Sequence, residues 1–513
     1  MSDSLPLPAT VLISAGIAAS VIVYRLLKSP NAKFPGPRPV PVIGNAHQMP
    51  QEHPWLTFSQ WQKVYGDVIY LEAFGKPILV VNSSDIAIEL LDKRSATYSD
   101  RPHLIMASDL CGFGRTFVMQ PYGEDWRNQR KAITQNFSPG TIPIYFPVQE
   151  RQAAVLVQNI LNSPDKLDEE VKFQVATVIV RVTFGHYLTD ENDPCFSLPM
   201  EVMSNFSAAT LPGNFMVDFF PALRHLPRWM PGAGFLKTAE KWNKTQYDAS
   251  WIGYNWSEEH MATGETYLPS LVGSALHEIE GNVPPDVKHN LVWGTSSVLG
   301  GGMDTNMSTI MTFFYAMILH PDIQRKAQAE IDALLGNQRL PVLTDRSSLP
   351  YLRALVTELY RWRTNVPLGV AHSLNKDDVY NGIVIKKGTI IMPNVWHMLH
   401  DPNVYPDPLT YNPDRYKGSD AEMKKVTDLA FGFGRRTCPG YNFAQGTIFS
   451  IIMTTLATCN ILPPVDVNGK EYIPNVEYSS GMISVPSHFN IQLKSRSLKA
   501  QELLHDALSK ERI

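Results

Sequence analysis

Hydrophobic residues recur along this chain at two spacings, and the helical one dominates. Residues 320–336, HPDIQRKAQAEIDALLG, place apolar side chains three and four apart after a proline and before Gly336, which predicts an amphipathic helix. Over 348–363, SLPYLRALVTELYRWR puts Leu352, Leu355, Val356, Leu359 and Trp362 on one stripe, with Pro367 beyond its end. A long apolar stretch from about Asp286 to His320 opens after Pro284-Pro285 and stops before Pro321, and reads as one long helix. Runs rich in β-branched residues, DVIYLEAF (67–74) and KPILVVN (76–82), predict strands, and NGIVIKKGTIIMPN (381–394) predicts a hairpin. Neither an internal repeat nor a clean linker interrupts the body. The expected fold class is therefore mainly α with a minor β component, in one large domain.

The first residues follow a different pattern. No charge falls between Ser4 and Tyr24, a length that could cross a hydrocarbon core of about 30 Å as a helix. Arg25, Lys28, Lys33 and Arg38 follow it, whereas only Asp3 precedes it. That asymmetry predicts an N-terminal transmembrane helix with the rest of the chain on the cytosolic side, not a cleaved signal peptide, whose basic region would come first. Residues 1–28 are thus an expected membrane anchor. Residues 29–45 are a stiff proline-rich hinge, with prolines at 35, 37, 39 and 41. Residues 46–494 form the body. The charged tail, 495–513, is either a short amphipathic helix or disordered.

Composition narrows the class. With 44% hydrophobic and 18% charged residues among 513, the body has ample core and is not disordered. A net charge of −4 argues against a global electrostatic grip on nucleic acid. Four cysteines, at 111, 195, 438 and 459, do not make a disulfide scaffold.

Four constellations carry candidate chemistry. In FGFGRRTCPG (431–440), Cys438 sits among Gly432, Gly434 and Gly440 with Arg435 and Arg436. A thiolate is a soft, strong donor to iron, glycines let backbone N–H groups approach a sulfur, and arginines lower a thiol pKa. An isolated cysteine of this kind would otherwise be a small buried hydrophobe. In SSVLGGGMDTNMSTIM (296–311), three mid-helix glycines cost about 1 kcal/mol each relative to alanine, so something must pack flat against them or the helix must distort. Asp304 and Thr305 follow as a possible acid and hydroxyl, the bland alternative being a satisfied core aspartate. Glu358 and Arg361 lie three apart on one helix face, with Arg415 in YNPDRY; alone, such a pair is usually a solvated surface contact. Trp126 and Arg130 share a face in GEDWRNQRK, a core tryptophan beside a surface arginine unless a carboxylate is near.

Together these residues resemble the cytochrome P-450 superfamily, the haem-thiolate monooxygenases. Phe431, Gly434, Arg436, Cys438 and Gly440 match its F-x-x-G-x-R-x-C-x-G pattern. Gly301 to Thr305 resembles its oxygen-activation motif, with Asn306 where Thr or Ser is usual. Glu358, Arg361 and Pro413-Asp414-Arg415-Tyr416 are similar to its E-x-x-R and P-E-R-F segments. The resemblance covers nearly the whole chain, in the family's order, and its general look is that of fungal microsomal secondary-metabolite members.

The resemblance implies the large single-domain fold of that family and haem b with Cys438 as axial thiolate. It implies Trp126, Arg130, His372 and Arg436 as partners of the haem, Phe431, Gly301 and Gly440 as its surroundings, Asp304 and Thr305 as proton deliverers, and Glu358, Arg361 and Arg415 as a structural cluster. Dioxygen would be co-substrate. Because no nucleotide fingerprint is present, electrons would come from NADPH through a membrane-bound NADPH–cytochrome P-450 reductase, with cytochrome b5 as a further donor and Arg127, Lys131 and Arg435 as a basic docking face. The implied location is the endoplasmic reticulum membrane, catalytic domain facing the cytosol. Matching the family's recognition regions gives Phe113, Phe117, Phe206, Phe215, Val298, Leu299, Val366, Val370 and Met482 as apolar substrate contacts, suited to a terpenoid or other lipophilic secondary metabolite. A haem-thiolate isomerase or dehydratase that uses no dioxygen, and a non-enzymatic haem-binding protein, are the alternatives.

Overall fold

The computed structural model describes residues 34–261, 263–264, 269–279 and 282–509. The expected anchor, 1–28, lies outside the described residues. Among the described residues no helix is long and apolar enough to cross a membrane.

The larger helices are α1 (Pro54–Tyr65), α2 (Glu124–Thr134), α3 (Phe146–Asn162), α4 (Leu167–Phe184), α5 (Pro194–Thr210), α6 (Gly234–Met261), α7 (Pro285–Leu319), α8 (Pro321–Leu335), α9 (Pro350–Trp362), α10 (Asp420–Ala430), α11 (Tyr441–Thr458) and α12 (Leu498–Ser509). Helix α7 is the axle. Its 35 residues span about 52 Å at 1.5 Å per residue. Apolar side chains surround it because α2, α4, α6 and α11 pack on different sides of it. Its ends fall at Pro285 and before Pro321, as the prolines dictate.

The sheet component is small. Strands β1 (Val68–Ala73) and β2 (Lys76–Val81) pair antiparallel across a turn at Phe74 and Gly75, both with positive φ. Strands β3 (His372–Ser373), β4 (Asp378–Tyr380), β5 (Ile383–Ile385) and β6 (Ile390–Pro393) follow, and the main sheet runs β1-β2-β6-β3. The expected hairpin over 381–394 is not the one formed. Ile383–Ile385 folds back on Asp378–Tyr380 through Asn381-Gly382, both at positive φ, while β6 joins β2 in parallel. Asn-Gly favours the two-residue turn and captures the nearer strand. The sheet's consequence for the site is local: β3 pairs with β6 and fixes His372 opposite Ile391.

Of the two alternatives for the tail, the helix is adopted. Helix α12 buries Ala500 and Leu504, and Arg496 donates to Asp332 Oδ1 at 2.9 Å, joining it to α8.

Candidate active site

The cysteine loop joins α10 to α11. Phe431 caps α10, Gly432 turns at φ 84° and Gly434 at φ 51°, and the Cys438 N–H donates to the Phe431 carbonyl at 2.8 Å. Gly434 permits a close approach that no side chain allows: a Cβ there would lie 2.4 Å from the Leu91 carbonyl oxygen. Cys438 comes two residues before Gly440, the N-cap of α11, so its sulfur sits at a helix N-terminus. Burial pushes the thiol pKa up, opposed by the Gly440 N–H hydrogen bond and by the charge of Arg130.

This corrects one expectation in detail. Arg435 and Arg436 are not the cations that act on the sulfur. Arg435 lies over the Tyr122 ring, 4.8 Å from its centroid. Arg436 points elsewhere and donates to the carbonyls of Ser99, Phe117 and Gln120 at 2.7, 3.0 and 2.6 Å. Only Gly440, of the three glycines, serves the sulfur.

Cys438 lines a cavity of about 310 Å³ whose opposite wall is α7. The three glycines of that helix have three different neighbours. A Cβ at Gly300 would meet Met203 Sδ at 2.7 Å, and one at Gly302 would meet Ile179 Cδ1 at 2.9 Å. A Cβ at Gly301 would meet nothing within 4 Å, and Gly301 faces the cavity. Thr305, one turn on, also lines it, and its hydroxyl donates to the Gly301 carbonyl at 2.7 Å. Asp304 does not line it. One residue is a rotation of about 100° on an α-helix, and that rotation turns the carboxyl away, toward the charge of Lys172 on α4. Burial raises the Asp304 pKa. Asn306 does line the cavity; its Nδ2 donates to the Gly302 carbonyl at 2.6 Å, and its Oδ1 is buried without a partner.

A cationic cluster borders the same cavity. Trp126 and Arg130 project from α2, His372 from β3 and Arg436 from the cysteine loop. Arg101 joins them, donating to the carbonyls of Val118, Val370 and Ala371 at 3.0, 2.6 and 2.9 Å. Burial, then the charges of Arg436 and Arg130, push the Arg101 pKa well down. Burial and Arg101 also lower His372 to about 3, so its ring is neutral, with Nδ1 at 2.8 Å from the Tyr98 carbonyl. The Trp126 ring lies between two guanidiniums, 5.4 Å from Arg130 and 4.7 Å from Arg436, and its Nε1 is buried without a partner. Three converging guanidiniums, that of Arg436 buried and those of Arg101 and Arg130 partly so, and an unused N–H call for an anion. A flat apolar group with carboxylates at one edge, seated between Gly301 and the Cys438 sulfur, fits this donor set.

Behind the loop, Glu358 accepts from Arg361 Nε and Nη2, both at 2.8 Å, and from Arg415 Nε at 3.0 Å. Glu358 and Arg361 are fully buried. The remaining guanidinium hydrogens go to carbonyls of Leu399, Pro408, Pro406 and Thr410. The cluster does not line the cavity, as expected of a structural element.

Of the expected substrate contacts, Phe113, Phe117, Phe206, Val298, Val366, Val370 and Met482 line the cavity. Phe215 does not. Helix α5 ends at Thr210, and the chain then carries Phe215 outward to meet Trp242 edge-on, with centroids 6.0 Å apart. Leu299 is core. Sequence reasoning missed Arg101, Gln246, Ser296 and Asn365. Arg101 offered only an arginine before a proline, and Gln246 only one polar residue in a polar helix.

Comparison with known proteins identifies the family. The family model described as cytochrome P-450 matches residues 34–245 and 280–487. The chain is 49% identical over 503 residues to cytochrome P-450 monooxygenase 105 of Postia placenta, covering 98% of this chain and 96% of that one. It is 36% identical to cytochrome P-450 monooxygenase claR of Ampulloclitocybe clavipes, covering 96% and 92%. A zebra fish cytochrome P-450 solved with abiraterone superposes with a TM-score of 0.70 at 22% identity, covering 86% of this chain and all of that one, which is a likeness of fold. The chain belongs to the cytochrome P-450 family and is an enzyme of its monooxygenase class. Membership implies haem held by a cysteine thiolate, with dioxygen as co-substrate.

Proposed function

We propose that this enzyme inserts one atom of dioxygen into a lipophilic small molecule, a terpenoid or other secondary metabolite of a fungal biosynthetic pathway. The observation that carries the reading is the lining of one cavity by Cys438 at a helix N-terminus and by Gly301 and Thr305 on α7.

Cys438 would hold the haem iron through its thiolate, which the Gly440 N–H and Arg130 favour against the cost of burial. Arg101, Arg130, Arg436 and Trp126 Nε1 would hold the carboxylate edge of a haem, with His372 beside them, its Nδ1–H committed to the Tyr98 carbonyl. Bound there, haem supplies the activation of dioxygen and the oxidation of an unactivated C–H bond. Thr305 Oγ1, facing the cavity, relays protons. Asp304, turned from the cavity toward Lys172, acts on it less directly. The phenylalanines, valines and Met482 orient the substrate and exclude bulk water.

Electrons come from NADPH by way of a cytochrome P-450 reductase, with cytochrome b5 as an auxiliary donor. Arg127 and Arg435 both lie over the Tyr122 ring, at 5.7 and 4.8 Å, and with exposed Lys131 give the cysteine side a basic face suited to an acidic partner. The protein sits on the endoplasmic reticulum membrane with its body in the cytosol, anchored by residues 1–28. Exposed Val42, Phe220 and Trp229 are apolar side chains that a bilayer surface would cover.

Expression in yeast membranes with a reductase, NADPH and a panel of terpenoids tests the reading. Oxygenated products labelled from isotopic dioxygen are expected. Rearranged or dehydrated products formed without dioxygen would point to the isomerase class instead.

A further inference from the structure

The cavity is not apolar throughout. Its wall away from Cys438 carries a polar group set between α6 and α7. Gln246, only 1% exposed, lines the cavity together with Ser296. Its Nε2 donates to Ser250 Oγ at 3.2 Å and to Ser296 Oγ at 3.1 Å. The two serine oxygens are 2.9 Å apart, and Ser250, also buried, donates to the Gln246 backbone carbonyl at 2.7 Å. This network orients the carboxamide and uses its N–H groups. Gln246 Oε1 is left buried without a partner.

A buried carbonyl oxygen without a donor is unfavourable, so the site is complete only when something donates to it. Val202, Met203, Phe206 and Val298 line the same cavity, so a donor that enters it is best carried on an apolar molecule. Ser296 precedes Gly301 by five residues, about 7.5 Å along the helix. A ligand bound at Gln246 therefore presents a part of its skeleton well removed from the bound group to the Gly301 end of the cavity.

We propose that Gln246, held by Ser250 and Ser296, is a hydroxyl-binding subsite, so that the substrate is a lipophilic molecule that already carries an alcohol. The proposal rests on the monooxygenase reading and deepens it. The reaction that supplies the substrate is then an earlier hydroxylation, or a cyclisation ended by water capture. The present enzyme oxidises a carbon distant from that oxygen.

The test uses the full-length holoenzyme and three probes, decane, decanol and decanone, with affinity read from the haem absorption change on ligand entry and by calorimetry. Decanol is expected to bind about tenfold more tightly than decane or decanone, the worth of one buried hydrogen bond. Gln246→Leu should abolish that preference while keeping haem content and the absorption spectrum unchanged. Ser250→Ala, a milder change that frees the carboxamide, should reduce it. Decanone binding as tightly as decanol, or an alcohol preference that survives in both variants, would overturn the subsite. The two readings fail separately. Gln246-dependent alcohol binding without oxygenated product would sink the monooxygenase reading alone, and oxygenation with no alcohol preference would sink the subsite alone.

Discussion

Tyr416 donates its phenolic hydrogen to Glu358 Oε2 at 2.8 Å, inside a cluster where both side chains are buried. The family pattern resembled at this position has phenylalanine, so the hydroxyl is an added donor to a carboxylate that also accepts from Arg361, Arg415 and the Asn412 N–H. Tyr416→Phe should cost about 1–2 kcal/mol in chemical denaturation, because it removes one charge-assisted hydrogen bond without a volume change. Glu358→Ala should cost about 3–5 kcal/mol, because two guanidiniums lose their counter-charge. Equal stabilities for the two variants would refute this ordering.

Gly434→Ala should disrupt the cysteine loop. The added Cβ would meet the Leu91 carbonyl at 2.4 Å and Ser95 Cβ at 3.0 Å, at a φ of 51° that alanine adopts with strain. A loss of at least about 2 kcal/mol is expected. So is loss of the red-shifted absorption that a thiolate ligand gives the reduced carbon monoxide complex. Cys438→Ala should lose that band with far less effect on fold. A normal band in either variant contradicts the loop geometry described.

Arg101 is a partly buried cation at the cavity edge, beside the charges of Arg130 and Arg436. Arg101→Met should lower haem retention several-fold on gel filtration, with the apolar stem of the side chain kept. Retention equal to wild type would place the carboxylate edge of the haem elsewhere.

On α7, Thr305 faces the cavity and Asp304 does not. Thr305→Ala should therefore uncouple NADPH consumption from product by an order of magnitude. Asp304→Asn should have the smaller effect. The opposite ranking, measured as product per NADPH, would mean that the carboxyl turns inward in the working enzyme.

His400 lies away from the cavity, and burial with the Arg361 charge holds its pKa at about 3. Unfolded, a histidine takes up its proton near pH 6.5, so the unfolded state binds more protons than the folded state as pH falls through the window from about 6.5 to about 3. Stability is lost across that window, by about 2 kcal/mol at pH 5. His400→Gln should lose less stability than wild type between pH 7 and pH 5 in denaturant titrations. Parallel losses would exclude this histidine as the cause.

Local sequence determined the parts of this protein that local chemistry can specify. Prolines at 285 and 321 bounded the central helix, β-branched runs became β1 and β2, and the glycine and cysteine spacing of 431–440 identified the thiolate loop with its family. The Glu358–Arg361 pair lay within one helix, so its geometry was legible too. What only the tertiary structure decided depends on residues far apart in the chain. Arg101 reaches Val370 across 269 positions and Gln246 reaches Ser296 across 50. The parallel pairing of β6 with β2 likewise joins segments far apart in the chain. Asp304 and Phe215 turned away because helix phase and chain direction are set by packing between elements. Burial, unlike spacing, is a property of the assembled core, and it is burial that leaves Gln246 Oε1 and Trp126 Nε1 without a protein partner.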